Sequence, residues 1–248
     1  MTAQTLQGRV ALVTGGTTGI GFGSAKRLLE HGATVYITGR RQEVLDAAVA
    51  KLGQGAHGIQ AAHGELDILF ANAGGGHATP LPDLTERQID SELSINIKGV
   101  VLTVQSMLGV LRNGASVVLN ASITADMGLK GFGVYAATKA AVRSLARSWT
   151  TDLKDRDIRV NTISPGVVPT EGYGKEHKMT DEQVKDFVER VSTEIPAGRV
   201  GSAEDIGDAL VFLASDASAY IRGIDLEVDG GMTRVSRRLG LRRWATRP

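Results

Sequence analysis

Residues 10–32 read VALVTGGTTGIGFGSAKRLLEHG, and the order of residue types in them decides the fold. Four apolar residues come first, then a turn rich in glycine and threonine, then a run with helical spacing of its apolar positions. A short apolar strand, a glycine turn and an amphipathic helix open a βαβ unit. With no side chains at Gly15, Gly19 and Gly21, backbone and helix N-terminus can approach a pyrophosphate.

The same alternation continues outward. RVALVT is followed by a helix from Ile20, ATVYIT by a helix from Gln42, and LDILFANA by a long helix over 86–112. ASVVLNAS then precedes a helix over 133–153, which leads into IRVNTIS. Strands alternating with helices predict an α/β fold, a doubly wound parallel sheet with helices on both faces. Thr85 to Gln88, Thr180 to Gln183 and Ser202 to Asp205 have capping-box spacing and mark helix starts. We expect one domain over 1–233 and a basic, poorly ordered tail over 234–248 with six arginines. Residues 166–195 follow a strand, carry Gly, Pro and many charges, and suit a mobile flap over a strand end.

Composition narrows the chemistry. The chain has 248 residues, with 28 basic against 27 acidic side chains, so bulk attraction to nucleic acid or membrane is not indicated. It has no cysteine, which removes thiolate catalysis and cysteine-ligated zinc. His31, His57, His63, His77 and His177 lack ligand spacing, so no metal is expected. The first residues lack the apolar run of a signal peptide or anchor, and a cytoplasmic location is the expectation.

Two local features point to a cofactor and a reaction. The second strand ends VYITGRRQ, with Gly39 where dinucleotide folds place an acid for the ribose 2′-hydroxyl and with Arg40 and Arg41 following. The basic residues favour NADP(H), with NAD(H) possible. In GVYAATKAAVRSLARSW, residues 133–149, Tyr135 and Lys139 stand one turn apart on one helix face.

TGGTTGIG at 14–21, NAG at 72–74, NIKG at 96–99, Ser122 with Tyr135 and Lys139, PGVVPT at 165–170 and VDGG at 228–231 together resemble the short-chain dehydrogenases/reductases. The similarity runs from about residue 8 to 233 and implies a Rossmann-like fold and NAD(P)(H)-dependent interconversion of a carbonyl and a secondary alcohol. It implies a catalytic group of Asn96, Ser122, Tyr135 and Lys139. Gly15, Thr17, Thr18, Gly19, Ile20 and Gly21 would meet the cofactor phosphates and ribose, and Asn72, Ala73 and Gly74 its adenosine side. Arg40 would meet a 2′-phosphate, Val168 and Thr170 the carboxamide, and Lys139 also the nicotinamide ribose. The resemblance further implies a small-molecule substrate and a homo-oligomer, dimer or tetramer, through helices 86–112 and 133–153. His77, Met127, Phe132 and Tyr173 are candidate pocket residues.

One departure stands out. AHGIQAAHGELDILFANAGG, residues 56–75, leaves about five residues between the third and fourth candidate strands, where the family has a crossover helix and an adenine-contacting aspartate. Five extended residues reach about 18 Å, whereas a return across three strand spacings and along a strand needs roughly 22 Å. The expectation is therefore that residues 56–64 are not an ordinary parallel strand. Either the helix around 42–53 becomes the crossover to LDILF, or HGIQA is an irregular edge. One helix is then missing between strands 3 and 4, and the alternative function is a catalytically silent nucleotide sensor or partner-binding protein. His63 and Glu65 receive no role.

Overall fold

The computed structural model describes residues 5–58, 65–170 and 179–235. Seven parallel strands form one sheet: β1 Val10–Val13, β2 Thr34–Ile37, β3 Ala56–Gly58, β4 Leu66–Ala71, β5 Leu111–Asn120, β6 Arg159–Pro165 and β7 Asp225–Val228. Their order is β3-β2-β1-β4-β5-β6-β7. The helices among the described residues are α1 Gly19–Glu30, α2 Gln42–Leu52, α3 Glu86–Leu93, α4 Gly99–Met107, α5 Gly133–Asp152, α6 Asp181–Ser192 and α7 Ala203–Ala214.

Strand side chains alternate between two cores because successive residues point to opposite sheet faces. Val13, Ile37, Phe70 and Val118 pack with Leu28 of α1, Leu45 of α2 and Leu210 of α7. Leu12, Leu69, Val117 and Leu119 pack on the other face with Val100 and Val104 of α4 and Val142 and Ala146 of α5. All three capping boxes form, at Thr85, Thr180 and Ser202. The chain order reverses between β1 and β4, so the connections after these strands diverge and leave a crevice at their carboxyl ends.

Two expectations are corrected. Ala56–Gly58 is a regular parallel strand, with Val35, Tyr36 and Ile37 of β2 opposite Ala56, His57 and Gly58. Helix α2 is the crossover into β3 and not to LDILF, whereas the part of HGIQA beyond Gly58 lies outside the described residues. No helix lies between β3 and β4 among the described residues, and 59–64 fall outside them.

The helix expected over 86–112 is also interrupted. Ser94–Lys98 winds as a π-turn, α4 stops at Met107, and Leu111 already pairs in β5. In the segment 166–195, α6 is a regular capped helix, while 171–178, including Tyr173 and His177, lie outside the described residues. So do His63 and the tail from Ser236 onward.

Candidate active site

The glycine turn between β1 and α1 is built for close approach. Gly15 and Gly19 have φ of 66° and 57°, a left-handed conformation that glycine adopts without strain. A Cβ on Gly21 would stand 2.2 Å from the Gly15 carbonyl oxygen and 2.6 Å from Asn72 Nδ2. The Thr18 side chain makes no capping bond to α1, so the first-turn N–H groups keep their capacity for an anion. Thr170 arches over the turn, its methyl 3.1 Å from where a Cβ of Gly19 would lie, and Val168 before it is buried. This cradle suits a pyrophosphate.

Asn72 fastens the turn. Its Nδ2 donates to the Thr14 carbonyl at 3.0 Å, and Thr14 Oγ1 accepts from the backbone N–H of Asn72 at 3.0 Å and of Ala73 at 3.1 Å. The Asn72 side chain is thus committed to protein partners, while Ala73 and Gly74 are exposed. At the end of β2, a Cβ on Gly39 would lie 2.4 Å from the Thr17 methyl. Thr17 therefore occupies the space an acidic side chain would need there, and Arg40 beside it is exposed.

The four residues expected to act together come from three places: the π-turn before α4, the end of β5, and α5. Ser122 lies just beyond β5, is 8% exposed, and its Oγ accepts from the Thr124 N–H at 3.2 Å and from Thr124 Oγ1 at 3.0 Å. Its 3-10 turn, Ile123–Ala125, packs on α5. Tyr135 and Lys139 stand on α5, with Lys139 Nζ 5.5 Å from the Tyr135 ring centroid. Lys139 is buried, and Nζ donates to the Asn120 carbonyl at 2.8 Å. Burial lowers its pKa to about 8.

Asn96 is fully buried in the π-turn, a widening that recurs where a helix must present a side chain out of register. Its Oδ1 accepts from the Gly75 N–H at 3.1 Å and its Nδ2 donates to the Gly75 carbonyl at 2.8 Å. Gly74 brings Asn96 and Lys139 together: a Cβ there would lie 2.9 Å from Asn96 Oδ1 and 3.3 Å from Lys139 Nζ. Phe132 meets the Tyr135 ring edge-on at 6.1 Å, and Gly76 packs on that ring so closely that a Cβ would come 2.2 Å from its Cδ2.

Sequence reading missed Thr14, Asn120, Gly76 and Glu92, all of which hold this arrangement. Thr14 and Asn120 had a signal, a polar residue ending an apolar strand beside a motif. Gly76 and Glu92 had none, since their importance comes from what packs against them. Asp126, Asp225 and Glu227 converge closely enough to hold a cation, but Arg143 pairs with Asp126 at 2.6 Å and with Asp225 at 3.1 Å, and Arg234 pairs with Glu227.

Two family models match the chain, one described as short chain dehydrogenase over residues 9–62 and one as enoyl-(acyl carrier protein) reductase over 52–233. Oxidoreductase asL5 of Sarocladium schorii is 40% identical, the alignment covering 94% of this chain and 98% of that protein. An NADP-dependent (R)-specific alcohol dehydrogenase of Lentilactobacillus kefiri is 34% identical over 92% of this chain and 98% of its own length. Among solved structures, a 3-ketoacyl-(acyl-carrier-protein) reductase from Brucella melitensis complexed with NADH superposes with a TM-score of 0.82 at 27% identity, covering 92% of this chain and 99% of that one. With the ordered motifs, the parallel sheet and these matches in agreement, the chain belongs to the short-chain dehydrogenase/reductase family.

Proposed function

We propose that the chain is an NAD(P)(H)-dependent oxidoreductase that interconverts a carbonyl and a secondary alcohol, with NADP(H) preferred and Tyr135 as acid and base. The observation that carries this reading is the buried Lys139 ammonium 5.5 Å from the Tyr135 ring. The glycine turn, α1 N-terminus, Thr17, Thr18, Ile20, Ala73, Gly74, Val168 and Thr170 would hold the cofactor, with Asn72 bracing the turn. Bound nicotinamide supplies the hydride for reduction or takes it in oxidation.

An unperturbed phenol has a pKa near 10 and is a poor base at neutral pH. A neighbouring cation favours loss of its proton. Lys139, lowered to about 8, remains predominantly cationic at pH 7 and so supports that loss. Tyr135 would give its proton to the carbonyl oxygen in reduction and remove the alcohol proton in oxidation. Ser122 would hold the same oxygen, and Asn96 would support a water that returns the proton to solvent.

The NADP(H) preference rests on Thr17 filling the space beside Gly39 and on Arg40 at the strand end. The NADP-dependent alcohol dehydrogenase relative supports it by name. Exposed Leu93, Ile95 and Leu102 on the α3–α4 face support homo-oligomer formation there. Among the described residues no helix is long and apolar enough to cross a membrane.

Calorimetric titration with NADPH and with NADH, followed by a carbonyl panel assayed with the wild type and with Tyr135→Phe, tests the reading. Saturation by NADPH more tightly than NADH, with turnover lost in Tyr135→Phe, is expected. The short stretch of chain between Gly58 and Leu66, in place of a crossover helix, favours a second reading, a catalytically silent nucleotide sensor or partner-binding protein. Cofactor binding with no turnover on any carbonyl would select it, and no binding of either nucleotide would overturn the oxidoreductase.

A further inference from the structure

Glu92 is a buried carboxylate that the reaction outlined above does not use. It stands on α3, is 9% exposed, and its Oε1 accepts from the His77 backbone N–H at 3.1 Å. Its Oε2 is sealed from solvent and has no hydrogen-bond partner among the described residues. A half-satisfied buried carboxylate costs stability that an apolar residue of the same volume would not. Packing alone therefore does not account for it.

Its neighbours along the helix give it a context. Gln88, Glu92 and Asn96 follow one another at intervals of four, and they bond alternate residues of the segment after β4. Gln88 Nε2 donates to Thr79 Oγ1 at 3.0 Å, Glu92 accepts from His77, and Asn96 takes both backbone groups of Gly75. Four residues advance a helix by about 6 Å, close to the ~6.6 Å covered by two residues of extended chain, so the rungs stay in step. Between the rungs at Gly75 and His77 lies Gly76, whose backbone rests on the Tyr135 ring. From the other side, Thr79 N–H donates to the Gly131 carbonyl at 3.0 Å, closing the segment onto the loop before α5.

We propose that Glu92 is a positioning residue: by holding the His77 N–H it fixes Gly76 against the Tyr135 ring and so sets where the phenol presents its proton. The catalytic consequence rests on the proposed oxidoreductase reading, whereas the placement of the ring does not. Glu92→Gln keeps the acceptor for His77. Glu92→Leu fills the same space without one, which separates the clamp from simple packing.

The chain labelled with 3-fluorotyrosine gives a fluorine resonance for each of Tyr36, Tyr135, Tyr173 and Tyr220, and Tyr135→Phe identifies the second. In the cofactor-free protein, Glu92→Leu is expected to shift or broaden the Tyr135 resonance while the Tyr36 and Tyr220 signals stay in place, and Glu92→Gln to restore it. In turnover, Glu92→Leu is expected to lower kcat about ten-fold with KM for the carbonyl little changed, since a misplaced acid slows the chemical step without weakening binding. An unmoved Tyr135 resonance in Glu92→Leu overturns the proposal, as does an equal displacement in Glu92→Gln. Should the wild type turn over no carbonyl, the oxidoreductase reading fails and the resonance still decides the role of Glu92.

Discussion

Asn120 Nδ2 donates to Asn72 Oδ1 at 2.9 Å, while the carbonyl of the same Asn120 accepts from Lys139 Nζ at 2.8 Å. One residue at the end of β5 thus ties the buried lysine to the asparagine that fastens the glycine turn. The two halves of the proposed site, the glycine turn and the Tyr135–Lys139 helix face, share this joint.

Asn120→Ala leaves the Lys139 acceptor, a backbone carbonyl, and removes only the link to Asn72. Loss of one part-buried hydrogen bond is expected to cost about 1–2 kcal/mol of stability and to weaken nucleotide binding more than it slows turnover. Thermal unfolding and titration of the variant with NADPH check both effects.

Gly76→Ala would push a methyl against the Tyr135 ring, whose Cδ2 lies 2.2 Å from the ideal Cβ position. Backbone on one side and the α5 ring on the other leave little room to yield. We expect kcat to fall by about 10²-fold, because sub-ångström to 1 Å misplacement of a reacting group has that effect. Nucleotide affinity, measured by calorimetry, should change far less.

Lys139 makes stability depend on alkaline pH. Its folded pKa of about 8 lies below the ordinary 10.5, so between those values the unfolded chain keeps a proton that the folded chain has released. Stability contributed by this group therefore rises as pH goes from about 8 to about 10.5, by at most about 3 kcal/mol. In Lys139→Met that rise disappears, which denaturant titrations of both proteins at pH 7.5 and 10 would reveal.

Arg40→Gln removes the cation nearest the Gly39 corner. The expected result is an NADPH dissociation constant raised about ten-fold with NADH binding unchanged, as for loss of one charge-assisted contact to a phosphate. Equal effects on the two nucleotides would assign Arg40 to a solvated corner.

Ser202 and Asp205 cap α7, and Arg199 pairs with Asp205 through both carboxylate oxygens at 2.7 and 2.8 Å. The Arg199 guanidinium, with the Ser202 bonds, holds the Asp205 carboxyl well below the usual carboxylate range against the opposing effect of burial. This contribution is present above the unfolded pKa and fades as pH falls through the folded one. Ser202→Ala should cost about 1 kcal/mol at neutral pH, read as a lowered Tm.

Much of the architecture was legible because it rests on local rules. VALV followed by a glycine turn and a helix names a βαβ unit, and each capping box lies where its Ser or Thr precedes Gln or Asp by three. The third strand was hard to read locally because its described residues, Ala56–Gly58, form no apolar run. Its place beside β2, with Val35, Tyr36 and Ile37 opposite Ala56, His57 and Gly58, is set by pairing between strands. The break at Ser94–Lys98 left no mark in composition, since a π-turn is set by what the helix must reach.

For the site, spacing on one helix put Tyr135 and Lys139 on one face, and the order of motifs brought Asn96, Ser122 and the glycine turn into the same account. Sequence determined these because helical period, glycine freedom and capping chemistry act between residues a few positions apart. Only the tertiary structure decided that Asn120 joins Lys139 to Asn72, that Gly76 lies under the Tyr135 ring, and that Glu92 holds the backbone beside it. Those contacts join residues that are distant in sequence, on strands and helices whose meeting is set by packing across the sheet. No local pattern encodes such a meeting.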